Sequence, residues 1–268
     1  NNNCLPKIVI PVHFAGQSCD MKKIYELSKI YGFKIIEDGS HAIGGSYKNL
    51  PVGSCKYSDI CVFSFHPVKI ITTGEGGIAL TNSKLIAEKL KKFRSHGIHS
   101  IKQKMRKRDP KEIWNYQQVS IGLNYRITDI AASLGLSQMN KLDQFINKRR
   151  KIAKFYDSKL KYLPLKRQHE ISSCKSTYHL YVIRLNLKHK KITQKKIYNN
   201  LTKLGVLVNI HYIPVYRQPF YEDLGFKSGH CPEAESYFRE ALSIPIYPDM
   251  TIKDMEYVSS SLEKVLTL

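Results

Sequence analysis

The chain has 268 residues, of which 42% are hydrophobic and 24% charged. That balance supports a sizeable core and excludes wholesale disorder. Forty-three Lys and Arg against 22 Asp and Glu leave a net charge of +21, which admits a nucleic acid, an anionic surface or an anionic substrate as partner. The lysines are scattered, however, and the densest run, residues 102–111, has no interleaved aromatics, so it reads as a solvated basic loop. No run of about 18 apolar residues is present to span a membrane. The first residues, Asn1-Asn2-Asn3-Cys4, do not read as a signal peptide, and the absence of an initiator Met suggests a fragment or a processed product. The six cysteines, at 4, 19, 55, 61, 174 and 231, show no CxxC spacing and read as reduced thiols rather than a zinc site.

In chain order, residues 7–14 (KIVIPVHF) predict a buried strand. Asp20 then caps a helix with apolar positions Ile24, Leu27 and Tyr31, ended by Gly32. A strand over 33–36 delivers Glu37-Asp38 at its carboxyl end, completing a βαβ unit with parallel pairing. After a glycine-rich turn come strands at 59–65 and 78–80, separated by the Lys69 segment and the loop 72–77. Ser83 caps a helix running to about His96. Residues 1–100 therefore form an α/β layer. The stretch 98–123 is irregular and polar, and Thr128 caps a long helical pattern to about Tyr162, broken near Leu142. Beyond Pro164 the pattern predicts strands at 178–185 and 206–213 and helices at 193–204, 233–242 and 251–268. The divisions implied are a large α/β domain over 1–127, a connecting helix over 128–163 and a small α+β domain over 164–268.

Asp38 and Lys69 stand at the carboxyl ends of strands, on the edge where open α/β sheets bind ligands. A lysine amine and a carboxylate on one edge suit pyridoxal 5'-phosphate (PLP), which needs a Schiff-base lysine and a partner for its pyridinium nitrogen. A structural Asp–Lys ion pair explains the same spacing.

Five stretches tip the balance. Residues 37–44 (EDGSHAIG), 64–69 (SFHPVK) followed by 73–77 (TGEGG), 122–129 (GLNYRITD), 211–214 (HYIP) and 243–248 (SIPIYP) resemble, in order, motifs of the DegT/DnrJ/EryC1/StrS sugar aminotransferases. The wording at 65–69, the loop around Trp114 and residues 134–138 is most similar to the members that aminate UDP-4-keto-6-deoxy-HexNAc sugars on the way to pseudaminic acid.

The resemblance implies fold type I of the PLP-dependent enzymes: a large mixed or parallel-sheet α/β domain, here incomplete at its start, and a small α+β carboxy-terminal domain. It implies PLP as cofactor, a nucleotide-sugar and an amino-acid donor, usually glutamate, as substrates, a homodimer with shared sites, and a cytoplasmic enzyme of cell-surface or flagellar glycan synthesis. By motif position, Lys69 corresponds to the lysine that holds the cofactor and shuttles protons; some relatives carry histidine there and are dehydratases. Asp38 corresponds to the pyridinium partner. His41 falls beside the phenolic oxygen, Ser64 on the phosphate, and Asn124 on the phosphate of the neighbouring subunit's cofactor, with a packed turn histidine and a satisfied strand serine as the alternatives for His41 and Ser64. Tyr125, Arg126, His211 and Tyr212 correspond to sugar-facing positions, although Arg126 pairing with Asp129 and a strand-edge role for His211 and Tyr212 fit equally. Relatives also carry an opening segment with a phosphate-binding turn and an aromatic ring that stacks on the cofactor. No residue here matches either, so the expectation is weak PLP binding by this chain. The competing expectations are a catalytically incomplete fragment and, from charge alone, a basic nucleic-acid-binding protein.

Overall fold

The computed structural model describes residues 5–101, 103, 105–109, 111–113, 116–186 and 192–267. Trp114, Cys4 and parts of the basic run 102–111 lie outside these residues. The chain divides into two compact units, one of residues 1–14 and 18–142, the other of 15–17 and 143–268.

The first unit is built on a four-stranded sheet in the order β1-β2-β5-β6. Strands β1 (Ile8–Val9), β2 (Lys34–Asp38) and β5 (Ile60–Ser64) run parallel, and β6 (Gly77–Leu80) pairs antiparallel with β5. Helix α1 (Met21–Tyr31) links β1 to β2. Asp20 caps it by accepting the Lys23 N–H, and Gly32 closes it in the left-handed region at φ 75°. A hairpin of β3 (Ser46–Tyr47) and β4 (Leu50–Pro51) fills the glycine-rich stretch. Helix α2 (Lys84–Phe93) is capped by Ser83 and ends three residues before the expected His96. Strands β7 (Ile98–His99) and β8 (Gln117–Gln118) pair antiparallel within the stretch expected to be irregular. Helix α3 (Asp129–Met139) closes the unit behind its Thr128 cap.

The expected strand over 7–14 shrinks to β1 plus a single parallel bridge from Val12 to Asp38. Pro11 has no N–H to offer a ladder, although its carbonyl accepts the Asp38 N–H at 3.0 Å. Nor is the run buried throughout, since Ile8, Ile10 and Val12 are exposed while Pro11 and His13 are buried.

The stretch 128–163 is two helices. Helix α4 (Leu142–Lys159) begins after a break at Asn140-Lys141, and the unit boundary falls at Leu142. In the second unit α4 lies with a three-stranded antiparallel sheet, order β12-β11-β9, formed by β9 (Leu165–Lys166), β11 (Tyr181–Leu185) and β12 (Ala241–Ile244). The other elements are β10 (Cys174–Lys175), α5 (Gln194–Lys203), α6 (Pro219–Asp223), α7 (Pro232–Glu240) and α8 (Ile252–Leu266). Tyr156, Tyr181, Ile183, Leu201, Leu242 and Leu262 anchor its core. Buried tyrosines need partners for their hydroxyls: Tyr156 donates to the Pro245 carbonyl at 2.9 Å and Tyr181 to Asp157 at 2.6 Å.

Two expectations fail in this unit. Residues 206–213 are not a strand; they touch β12 at one bridge, Asn209 to Ser243. The Asn209 side chain takes the Ile210 N–H at 2.8 Å, a local turn at that bridge. The helix expected to Leu242 stops at Glu240, because Ala241–Ile244, all buried, pair with β11 instead.

Candidate functional site

Asp38 ends β2 and Ser64 ends β5, so parallel pairing brings both to one edge of the sheet. Asp38 is fixed by its main chain on both sides: its N–H donates to Pro11 O, its carbonyl accepts from His13, and the next residue, Gly39, donates to Val62 O at 2.8 Å. Its carboxylate accepts the Ser40 N–H at 3.0 Å, an Asx turn that orients it.

Lys69 follows five residues after β5 in a turn closed by its own N–H on the His66 carbonyl at 2.9 Å. The His66 ring adds to that turn by accepting the Val68 N–H on Nδ1 at 3.4 Å. Lys69 is half-buried, and loss of water holds its amine below the ordinary lysine range; the nearby Asp38 charge pulls it partly back. The structure therefore brings the predicted lysine and carboxylate within electrostatic reach of one another.

The loop 72–77 is stitched to the end of β5. Thr72 Oγ1 and Thr73 N both donate to the Phe65 carbonyl, at 2.9 and 3.0 Å, and Phe65 N donates to Gly76 O at 2.9 Å. Gly77 runs so close to β5 that a Cβ there would sit 2.7 Å from the Phe63 carbonyl oxygen. Ser64 Oγ accepts the His66 N–H at 3.4 Å, which leaves its own O–H to donate. His41 is buried in the turn after β2, its ring 6.0 Å from that of Phe14.

Asn124, Tyr125 and Arg126 stand exposed on a loop of the same unit. That loop is zipped to the end of α2: Leu123 N donates to Phe93 O, Tyr125 N to Arg94 O, and Asn124 bridges Ser95. Gly97 makes the approach possible, since at φ 71° a Cβ there would lie 1.8 Å from Ser120 O. Among the described residues no ion pair joins Arg126 to Asp129. His211 and Tyr212 belong to the second unit. The His211 ring bonds the Ser243 hydroxyl through Nδ1 at 2.8 Å and meets the Tyr212 ring edge-on at 4.7 Å.

Sequence reasoning missed the cluster behind Asp38, in which His13 Nε2 meets Glu37 at 2.8 Å and the Ser58 hydroxyl bonds the other Glu37 oxygen. The one available signal was a histidine inside an apolar run. No disulfide joins any two of Cys19, Cys55, Cys61, Cys174 and Cys231. Among the described residues no group of His, Cys, Asp and Glu could hold a metal ion, and no helix is long and apolar enough to cross a membrane.

The chain is 37% identical to the UDP-4-amino-4,6-dideoxy-N-acetyl-β-L-altrosamine transaminase of Campylobacter jejuni, over 95% of this chain and 64% of the relative. It is similar to the structure of Helicobacter pylori PseC, an aminotransferase involved in the biosynthesis of pseudaminic acid, with TM-score 0.85 and 33% identity over 96% of this chain and 66% of that one. The PLP-form of Spr1654 from Streptococcus pneumoniae matches with TM-score 0.84 and 26% identity, over 97% and 68% of the two chains. The chain thus spans about two thirds of the length of the relatives it matches. Over residues 3–263 it matches the pattern shared by one group of enzymes, and it belongs to that group, the DegT/DnrJ/EryC1/StrS aminotransferase family.

Proposed function

We propose that this chain carries the lysine half of the active site of a PLP-dependent sugar transaminase. It would transfer an amine from glutamate to a UDP-linked 4-keto-6-deoxy-HexNAc. The observation that carries the reading is that half-buried Lys69 lies near enough to Asp38, at the ligand-binding edge of the sheet, for the carboxylate charge to act on its amine. The residues present fit the cofactor: a partly desolvated amine, a carboxylate oriented by the Ser40 N–H, and a strand-end hydroxyl on Ser64.

When bound, PLP supplies an electron sink for charge left on the carbon that loses a proton. The chain supplies the rest. Lys69, held below the ordinary range by burial, is more readily neutral than a solvated lysine, so its amine would hold the cofactor and would accept and return a proton. Asp38 would hold the cationic ring nitrogen of the cofactor, and Ser64 would donate to its phosphate. His41 lies in the turn after β2. For Asn124 serving a neighbouring subunit's cofactor, Tyr125 and Arg126 facing the sugar nucleotide, and His211 and Tyr212 contacting the sugar, the support is motif position alone. Homology to the Campylobacter and Helicobacter transaminases supports the sugar class.

The test is addition of PLP followed by borohydride reduction and peptide mass spectrometry. The reduced adduct is expected on Lys69, with loss of the visible band in Lys69→Ala. Amine transfer from glutamate to the UDP-4-keto-sugar is then assayed directly. An adduct on another lysine, unchanged in Lys69→Ala, overturns the assignment.

A further inference from the structure

Side chains at Glu37 and Asp38 leave β2 on opposite faces. Asp38 faces the chemistry, while Glu37, 5% exposed, is buried behind it against His13, which is wholly buried. His13 Nδ1 accepts the Cys19 N–H at 3.2 Å, so the ring proton sits on Nε2 and is donated to the Glu37 carboxylate at 2.8 Å. The Ser58 hydroxyl donates to the other carboxylate oxygen. The charge of Glu37 is felt further along the same layer, where the buried thiols of Cys55 and Cys61 are pushed up first by burial and then by that carboxylate.

His13 also holds the adjacent residue. Its main-chain N–H donates to the Asp38 carbonyl at 3.0 Å. One residue therefore grips Glu37 with its ring and Asp38 with its backbone. A merely structural contact here would be met as well by two apolar side chains, since burying a polar pair gains little net stability. What a directional pair adds is a fixed rotation of β2 about its axis, and that rotation sets where the Asp38 carboxylate points.

We propose that His13, with Glu37 and Ser58, is a positioning residue for Asp38. It sets the carboxylate against Lys69 by locking the 37–38 backbone. The proposal rests on the reading of Asp38 and Lys69 given above.

Lys69 itself is the reporter, and no cofactor is needed. The rate at which Lys69 is acylated by trace acetic anhydride, measured against pH by peptide mass spectrometry on the 268-residue chain, gives the midpoint of its amine. Asp38 is the charge that raises it. Asp38→Asn is expected to lower the midpoint and raise acylation at pH 8 by about threefold. His13→Leu is expected to move it in the same direction by a comparable factor. His13→Gln, whose amide can both donate to Glu37 and accept from Cys19, is expected to keep the parent profile. If His13→Leu does not fold, Ser58→Ala, which removes one Glu37 donor without changing charge, is expected to give a smaller shift of the same sign. A parent-like profile in His13→Leu, or in Ser58→Ala where that stands in, alongside a shifted Asp38→Asn, overturns the positioning role and leaves the pair intact. A parent-like profile in Asp38→Asn overturns both.

Discussion

Arg149 shows how far a single residue can depart from its sequence context. It sits in the run Asn147-Lys148-Arg149-Arg150-Lys151, where a helical charge run reads as a solvated face. Arg150 behaves nearly so, meeting Glu170 at 2.6 Å. Arg149 turns inward, only 6% exposed, and its Nη1 donates to three carbonyls, those of Tyr178, His179 and Ile246 at 2.9–3.2 Å. Burial without a carboxylate drops its pKa to about 10. The guanidinium thus ties α4 to the entry of β11 and to the segment after β12. Arg149→Met is expected to destabilise the chain by about 2–4 kcal/mol, because three buried carbonyls lose their donor at once. Urea denaturation monitored by circular dichroism checks this, and a change within about 0.5 kcal/mol would show that water replaces the arginine. Asp38 and Lys69 were legible in the sequence because strand ends and motif wording locate them. Arg149 and the His13–Glu37 pair were not, since their partners lie 24 to 97 residues away and carry no local spacing signal.

Among the elements, those with chemical end-markers were the legible ones. Asp20, Ser83, Thr128, Thr193 and Thr251 each accept a backbone N–H at the start of a helix, as their types and positions predict. Short strands were less legible because tertiary pairing decides them: β12 is a strand only through β11, and 206–213 meets β12 at the single bridge of Asn209 with Ser243. The cap on α8 also makes a pH-dependent claim. Thr251 Oγ1 accepts the Asp254 N–H, and the Asp254 carboxylate accepts the Thr251 N–H at 2.8 Å. Those bonds hold the Asp254 carboxyl below its ordinary value. A lowered folded-state value means the stabilisation is present above about pH 4 and is lost as pH falls through the folded value. Asp254→Asn is therefore expected to be less stable than the parent at pH 7, with the gap closing as the pH approaches 3. A gap that stays constant from pH 7 to pH 3 would show that the carboxylate charge contributes nothing to the cap.

For the whole molecule the open matter is what covers α3. Its sequence, Asp129–Met139, has one charged residue, and none of its side chains is buried. Ile130 is 86% exposed and Leu136 71%, and the loop leading in adds exposed Ile121, Leu123 and Tyr125. An apolar helix with no buried face is uncommon on a monomer and marks a surface that associates. The same stretch holds Asn124, whose proposed part is to reach a neighbouring subunit's cofactor, so we infer a second copy of the chain as the occupant. Charge opposes this, because each copy carries +21. Repulsion between the copies acts at long range and is screened by salt, whereas apolar burial between them is not. The dimer is therefore expected to tighten as salt rises from about 0.05 M, where the Debye length exceeds about 10 Å, to about 0.5 M, where it is a few ångströms. Sedimentation velocity across that range, with the parent and with Ile130→Asp and Leu136→Asp, checks the point. The parent should sediment as a dimer that strengthens with salt, and the two variants should shift to monomer while keeping their circular dichroism. A parent that stays monomeric at both salt concentrations would remove the second copy from α3 and with it the shared-site role of Asn124.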